Sequence, residues 1–231
     1  MPQVTQTKVE QVRCDFQSRL AKLNKTELLT FTDKLDAHEP LSCADYAATV
    51  YENMRATECL IDQHYLEKVQ LPTEVKETSR AFLIEWIIDV HRKFRLASET
   101  LYLTVHLIDR FLSLQQIKKS QLHILGVTSL LIATKYEEIY PPELKDLLQV
   151  SENKFTKEQV LEMELQMLQV LEFSITTPTS YRFLERFKKL AQVDDQTFFF
   201  AQYLQEVAML DASLLKYKPS ELAAACLVLS A

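Results

Sequence analysis

Apolar residues recur along most of this chain at the three- and four-residue spacing of amphipathic helices. Residues 81–90 and 122–136 are apolar on nearly every side, so we predict that both helices run through a core. Further helices are predicted at 101–114 and 160–171, with a short one after the prolines at 141–142. Five helical segments between residues 73 and 171, joined by short connections, predict one compact helical domain.

The helical pattern restarts after a proline-containing linker at residues 173–178. The turn at 118–122 (KKSQL) recurs as KPSEL at 218–222, an offset of 100 residues, and both precede a strongly apolar helix. We therefore expect two tandem helical units, of which the second, over 173–231, is incomplete. The first unit is expected to close its own core, and the last helix to be only partly covered.

Polar residues that can cap helices mark several of the predicted starts. Ser98 and Ser120 are expected to cap the helices that follow them, and Thr156 forms a capping-box pattern with Gln159. Asp194 is expected to open a helix in the second unit.

The first seventy residues divide into two parts. We expect residues 1–40 to form a loosely ordered arm, and residues 41–71 to contain a helix capped by Ser42. Its apolar positions at helical spacing are Tyr46, Val50, Met54, Ile61 and Leu66.

Composition excludes several classes of protein. The chain has one glycine, Gly126, so it cannot contain a glycine-rich phosphate-binding loop; close helix packing is the expected reason for this glycine. The formal net charge is −6, with Lys and Arg scattered among carboxylates, which favours protein partners over nucleic acid. Four dispersed cysteines predict free thiols. We expect neither a signal peptide nor a membrane span.

Catalytic chemistry has no support in the sequence. The five histidines form no paired metal-ligand spacing, and no nucleophile motif is present. Glu137 and Glu138 are adjacent, and adjacent helical residues do not face each other. We therefore expect a protein that is not an enzyme and has neither a metal nor a cofactor.

Four charged residues interrupt or end apolar helices: Arg80, Asp109, Lys135 and Glu164. A charge buried alone costs several kcal/mol, so each must be paired, face a partner or extend to water. The alternative of extension to water stays open for each of them.

At these residues the chain resembles the cyclins, and in particular the A- and B-type mitotic cyclins. The segment 79–86 (SRAFLIEW) is similar to the cyclin-box MRAIL…W motif, and 109–113 reads DRFLS. The run 132–143 (IATKYEEIYPPE) is close to LASKFEEIYPPE of the mitotic cyclins. The resemblance implies an all-α cyclin-like fold, with a first cyclin box at 72–172 and a second, truncated one at 173–231.

The resemblance also implies a partner, the catalytic subunit of a cyclin-dependent protein kinase. Arg80 and Asp109 would form a buried structural ion pair. The residues expected to bind the kinase, by hydrogen bonds or by apolar contact with its αC helix, are Lys135, Glu164, Ile132, Tyr136, Glu138 and Phe173.

A second implied site is a docking patch for Arg-x-Leu peptides of substrates or inhibitors. It maps to Ser79, Phe82, Leu83, Trp86, Asp89 and His123. Three of these depart from the family pattern, since Ser79, Phe82 and His123 stand where methionine, isoleucine and glutamine are usual.

The implied function is activation of a cell-cycle kinase around G2/M, in the nucleus and cytoplasm. One alternative is a cyclin-box transcription factor, which would carry a basic face. The other alternative is a helical scaffold with no kinase partner.

Overall fold

The computed structural model describes residues 32–35, 38–39, 42–71 and 74–231, and its regular structure there is helical. Most of the predicted arm and the break at Pro72-Thr73 lie outside these residues. The helices are α1 (Ala47–Thr57), α2 (Tyr65–Lys68), α3 (Glu77–Phe94), α4 (Ser98–Leu114), α5 (Leu122–Glu137), α6 (Leu144–Val150), α7 (Lys157–Val170), α8 (Ser180–Ala191), α9 (Asp195–Ala208) and α10 (Pro219–Ser230). Short 3₁₀ turns cover Ala44–Tyr46, Lys119–Gln121 and Ala212–Lys216.

The chain forms two compact units. One comprises Met54–Lys188 with Val193–Ala231, and the other Met1–Asn53 with Lys189–Gln192. The described part of the smaller unit holds the turn Ala44–Tyr46 and the first turns of α1, a helix with no buried residue. No described helix is both long enough and apolar enough to cross a membrane.

Helix α5 is the centre of the larger unit. Twelve of its sixteen residues, from Leu122 to Thr134, are buried, and it packs on α3, α4, α6 and α7. A Cβ placed on Gly126 would lie 2.6 Å from Cδ1 of Leu83 on α3. The glycine therefore allows α3 and α5 to approach closely, as predicted.

Two of the predicted caps are confirmed, and both are local. The Thr156 hydroxyl accepts from Gln159 N at 3.3 Å, and the Gln159 side chain accepts from Thr156 N at 2.9 Å. Asp194 accepts from Thr197 N at 2.8 Å.

The caps predicted at three serines are wrong. Cys43 and not Ser42 precedes the first turn, and no side chain caps it. The N-cap residue of α4 is Ala97, so Ser98 is already the first residue of the helix. Ser120 lies within the 3₁₀ turn Lys119–Gln121 that precedes α5. At α4 the reason is a carboxylate that arrives from elsewhere in the chain, that of Glu138.

The predicted helix over 41–71 is also shorter than its apolar spacing suggests, because α1 ends at Thr57 and α2 is a separate short helix. Beyond the end of α1, the Glu58 carboxylate accepts from Ser220 N and Ser220 Oγ, both at 3.1 Å. Residue 58 thus caps α10, and the chain continues without helix to Tyr65.

The turn that recurs at an offset of 100 residues has the same geometry in both copies. Gln121 Oε1 accepts from Lys118 N at 3.1 Å, and Glu221 Oε2 accepts from Lys218 N at 3.0 Å. The repeat predicted from sequence is present in structure at this turn.

Arg80 and Asp109 form a fully buried ion pair, each with 1% of its surface exposed. Nε and Nη2 of Arg80 donate to the two carboxylate oxygens, both at 2.6 Å. The Tyr65 hydroxyl donates to the same carboxylate at 2.8 Å, and Arg80 Nη1 donates to the carbonyl of Met209 at 2.8 Å. Burial alone would lower the pKa of Arg80, but the Asp109 carboxylate holds it above its ordinary value. The network joins α2, α3, α4 and the end of α9.

The first unit closes most of its own core, as expected, since all but one of the residues in the buried cluster lie between Tyr65 and Leu171. Ala212 is buried within the cluster formed by α3–α7, and Met209 and Leu215 pack against it. Together with the bond from Arg80 to Met209, these contacts attach the segment after α9 to the first core. The residues buried in α8, α9 and α10, among them Phe183, Phe198 and Cys226, lie outside that cluster. The partial cover predicted for the last helix is observed at Val228 and Leu229, which are 36% and 71% exposed, whereas Leu227, expected to be partly covered too, is buried at 8%.

Replacing Gly126 by alanine should destabilise the protein, because the new methyl group and Leu83 Cδ1 cannot occupy the same space. We expect a loss of roughly 1–3 kcal/mol in the free energy of unfolding, measured by denaturant titration. Leu83→Ala alone leaves a cavity, and the double variant should lose less than the sum of the two single losses. Strict additivity would contradict the close approach.

Replacing Arg80 or Asp109 by alanine should cost about 3–5 kcal/mol of unfolding free energy, because the remaining charge stays buried without its partner. Tyr65→Phe removes one hydrogen bond to the carboxylate and should cost about 1.5–3 kcal/mol. Thermal melting of the free protein is the measurement. An Arg80→Ala protein that melts at the wild-type temperature would show that the pair is not structural.

Candidate functional site

Lys135 and Glu164 meet on the surface of the α5–α7 helix pair. Lys135 Nζ lies 2.6 Å from Glu164 Oε1, and the side chains are 50% and 13% exposed. Lys135 is in the last turn of α5, where a cation suits the negative end of the helix dipole. In this structure the two charges that interrupt apolar helices are paired with each other.

Large apolar side chains surround this ion pair and remain exposed. On α5 and after α7 these are Tyr136 (48%) and Phe173 (65%). On α7 they are Leu161 (39%) and Leu165 (54%), one helical turn apart and on either side of Glu164 in sequence. We call these residues the α5–α7 surface: Lys135, Tyr136, Leu161, Glu164, Leu165 and Phe173.

Ile132 does not belong to that surface. Its side chain is 3% exposed and lies in the core, so the prediction that it supplies apolar contact area is corrected. The sequence interpretation named neither Leu161 nor Leu165 among the residues expected to bind the kinase. The signal that could have identified both is their spacing of four on a helix whose buried positions are Val160, Met163 and Met167.

Phe173 is held out from the protein by an uncommon backbone conformation. Glu172 and Phe173 are both left-handed, with φ of 52° and 55°. Phe173 N donates to Leu168 O at 2.8 Å and Glu172 N to Gln169 O at 3.1 Å, which closes the last turn of α7. A large aromatic residue in this region is strained, and such strain is typical of functional positions.

The chain next to Phe173 is fixed to α5. The hydroxyl groups of Tyr136 and Thr176 are hydrogen-bonded. The linker that follows α7 therefore lies against the end of α5, which keeps the two exposed aromatic rings on the same part of the molecule.

Next in sequence to Tyr136, Glu137 and Glu138 make polar contacts with residues of α4 and α8. Arg182 of α8 lies 2.5 Å from Glu99 and 3.5 Å from Glu137. Glu138 Oε1 accepts from Ala97 N at 2.8 Å and from the Thr100 hydroxyl at 2.5 Å. Partial burial raises the pKa of Glu137, against the lowering effect of Arg182. Both glutamates are thus held by groups of the same protein.

The predicted docking patch is only partly exposed. On α3, Phe82 is 70% exposed, Asp89 is exposed, and Ser79 and Trp86 are intermediate. Leu83 is 6% exposed and faces Gly126, so its predicted place in an exposed patch is corrected.

His123 of α5 lies beside this patch. Its ring meets Trp86 edge-on at 4.6 Å and Phe155 at 5.5 Å. Its Nε2 is buried and has no hydrogen-bond partner in the described structure. Burial lowers the pKa of the His123 imidazole, and the positive charge of Lys154 lowers it further by a smaller amount.

Metal and disulfide chemistry find no site in the described residues. They contain no group of three or more potential metal ligands. Cys59 and Cys226 are free thiols there, and Cys14 lies outside the described residues.

Family models decide the assignment of this fold. The model of the cyclin N-terminal domain matches residues 49–176, and that of the cyclin C-terminal domain matches residues 178–231. The chain belongs to the cyclin family.

The most similar relatives agree with the mitotic-cyclin motifs. The G2/mitotic-specific cyclin-B of Arbacia punctulata is 40% identical over 86% of this chain and 48% of its own length. The G2/mitotic-specific cyclin-1 of Medicago sativa subsp. varia is 40% identical over 84% and 45%. The putative cyclin-A3-1 of Arabidopsis thaliana is 40% identical over 83% and 56%. The chain spans about half the length of the curated cyclins that it matches.

Solved structures share the cyclin fold at low sequence identity. A viral cyclin from herpesvirus saimiri aligns with a TM-score of 0.64 at 23% identity, over 70% of this chain and 72% of that one. A chain of the yeast RNA Pol II CTD kinase CTDK-1 complex also gives 0.64, at 12% identity, over 75% and 62%. The predicted all-α cyclin-like fold is confirmed.

Replacing Glu172 by glycine should stabilise this cyclin, because a left-handed residue with a Cβ costs about 1–2 kcal/mol and glycine adopts the same φ freely. Allowing for the greater flexibility of glycine in the unfolded chain, we expect a net gain of about 0.5–1 kcal/mol. Denaturant titration measures it. Gln166→Gly, at an exposed position within α7, is the control and should lose about 1 kcal/mol. Equal losses in both variants would show that residue 172 is not strained.

Proposed function

We propose that the chain is a regulatory subunit without catalytic activity of its own, which binds and activates a cyclin-dependent serine/threonine kinase at G2/M. Its relatives are named as G2/mitotic-specific cyclins, and this supports the phase. A structural neighbour comes from a kinase complex, which supports a kinase as the partner. We place this activity in the nucleus and cytoplasm.

The α5–α7 surface is the observation that carries the proposal. It presents four exposed apolar side chains beside one ion pair, three of them on α5 and α7 and the fourth, Phe173, directly after α7. A patch of this kind marks a surface for a protein partner. An apolar helix face with a few polar groups matches it, and the αC helix of a protein kinase has that character.

The mechanism follows from what an active kinase requires. A glutamate on αC must pair with the lysine of strand β3 so that the lysine can hold the ATP phosphates. The α5–α7 surface binds αC in that position, with Tyr136, Leu165 and Phe173 as apolar contacts. Lys135 and Glu164 exchange their mutual bond for hydrogen bonds to main-chain groups of the kinase. Because this cyclin binds only the active arrangement tightly, it shifts the kinase population toward that arrangement.

The face of α3 is the proposed docking patch for Arg-x-Leu peptides. Asp89 would pair with the arginine of the peptide, and Phe82 and Trp86 would contact its leucine. Ser79, Phe82 and His123 stand where the family pattern has methionine, isoleucine and glutamine, so this patch differs from that pattern.

Two alternative functions have less support. A cyclin-box transcription factor needs a basic face, whereas the chain carries a net charge of −6. A scaffold with no kinase partner leaves the exposed aromatic rings beside the Lys135–Glu164 pair without a purpose.

Replacing both Lys135 and Glu164 by alanine should abolish most kinase activation while leaving the fold intact. Each charge-assisted hydrogen bond lost to the kinase is worth about 1.5–3 kcal/mol, or roughly 10- to 150-fold in affinity. Phosphorylation of a peptide by a cyclin-dependent kinase, measured against cyclin concentration, gives the half-maximal activating concentration.

The matched control is Lys188→Ala with Asp195→Ala. That pair has the same 2.6 Å separation and joins α8 to α9. It should leave activation within about twofold of wild type, because exposed ion pairs contribute little. Full activation by the Lys135→Ala/Glu164→Ala protein would refute the assignment of these residues. A wild-type chain that activates no cyclin-dependent kinase would refute the function.

A further inference from the structure

Glu138 is the residue at which the chain leaves α5. Its amide donates to Thr134 O at 3.0 Å and so closes the helix, while its own backbone is extended. Its carboxylate then accepts from Ala97 N and from the Thr100 hydroxyl. One residue therefore ends α5 and caps α4.

This carboxylate replaces a cap that the local sequence of α4 lacks. Ala97 is the N-cap residue of α4, and an alanine side chain cannot accept a hydrogen bond. In a capping box, the side chain of the third helical residue reaches back to the N-cap amide. In α4 the third helical residue is Thr100, and its hydroxyl donates to Glu138 instead of reaching the N-cap amide. The carboxylate of Glu138 accepts from that amide, Ala97 N, and so takes the part that the third residue has in a capping box. A negative charge at this end of α4 is also favoured by the helix dipole.

The loop after Glu138 has little else to hold it. Ile139 and Tyr140 are 87% and 91% exposed, and no hydrogen bond in the described structure involves either of them. The two prolines that follow restrict the backbone but supply no donor. Arg182 binds Glu99 and Glu137 and leaves Glu138 to α4. The direction in which the loop leaves α5 therefore depends on the anchor at Glu138.

We propose that Glu138 is a positioning residue, which fixes the 139–142 loop so that Ile139 and Tyr140 extend the α5–α7 surface toward the kinase. The proposal rests on the proposed function, since it assigns how part of that surface is held. It differs from direct contact between Glu138 and the kinase, because the carboxylate acts through α4 and the loop.

Thr100→Val is the variant that separates positioning from direct contact. Thr100 is fully buried, so it cannot touch a partner, and valine keeps its shape while removing the bond to Glu138. With one of two anchoring bonds lost, we expect kinase affinity to fall about 3- to 10-fold. Glu138→Ala should lose more, and the double variant should be no weaker than Glu138→Ala alone. If Glu138 touches the kinase directly, Thr100→Val retains wild-type affinity and the proposal is overturned.

The conservative variant Glu138→Gln gives a second discrimination. Its amide oxygen can still accept from Ala97 N and Thr100, so a positioning role predicts affinity closer to wild type than that of Glu138→Ala. A direct charge contact predicts that both variants are equally weak. Tyr140→Ala should weaken binding in the wild type and much less in the Glu138→Ala protein, where the ring is already misplaced.

Two further measurements distinguish this proposal from general loss of stability and from failure of the proposed function. Asp194→Ala removes the cap of α9 and should lower the melting temperature without changing kinase affinity. Hydrogen exchange of the Ala97 amide, measured in the free protein, should speed up in Glu138→Ala, so this readout does not depend on any kinase. A wild-type chain with no kinase affinity would defeat the function, whereas wild-type affinity in Thr100→Val would defeat only the positioning role.

Discussion

The buried pair of Arg80 and Asp109 determines how the rest of the larger unit is arranged. A guanidinium group with 1% of its surface exposed must have its donors bonded inside the protein, or the cost of removing it from water destabilises the fold. The Asp109 carboxylate accepts hydrogen bonds from Nε and Nη2 of Arg80, and the carbonyl of Met209 accepts one from Nη1. The Tyr65 hydroxyl donates a further hydrogen bond to the Asp109 carboxylate. Because these partners come from four separate parts of the chain, the helices of both halves have to meet at this point. The sequence boundary near residue 173 marks a repeat, and the segment from Met209 to Leu215 is the part of the second half that packs on the first core.

Helix ends explain where sequence reasoning succeeded and where it failed. The apolar periodicity predicted every helix from α3 to α10, because the core imposes that period directly. The caps at Thr156 and Asp194 were predictable, since donor and acceptor are three residues apart. The cap of α4 comes from a residue 41 positions beyond its N-cap, and that of α10 from a residue 162 positions before it. At α5, the local bond from Lys118 N to Gln121 Oε1 closes the turn without Ser120. No local pattern contains the two distant pairings, so Ser98 was the wrong choice at α4. Tertiary structure had supplied the acceptor already.

The candidate surface shows the same division between local and distant information. Its charged pair was predicted because Lys135 and Glu164 break apolar patterns, and its aromatic residues because motifs named them. Ile132 and Leu83 were predicted to be exposed at a binding surface, but both are buried. The sequence could not show this, since only packing decides which side of an all-apolar helix faces inward. No motif indicated the left-handed backbone at Glu172 and Phe173, which is connected with the scarcity of glycine. With one glycine in the chain, left-handed turns fall to residues such as Glu172 and Phe173, and the strain lies beside an exposed aromatic ring.

A kinase activator of the proposed kind must be more rigid than the helix it captures. If the surface had to be ordered on binding, that ordering would subtract from the affinity available to shift the kinase. Four side chains of the α5–α7 surface are held before any partner arrives. Lys135 and Glu164 hold each other, the Tyr136 hydroxyl is bonded to Thr176, and Phe173 lies in a closed helical turn. The adjoining loop that carries Ile139 and Tyr140 has no hydrogen bonds of its own in the described structure, and for that reason the carboxylate of Glu138 at its base matters most. Preorganisation here is a property of helix ends, where single side chains from distant positions decide the direction in which the chain continues.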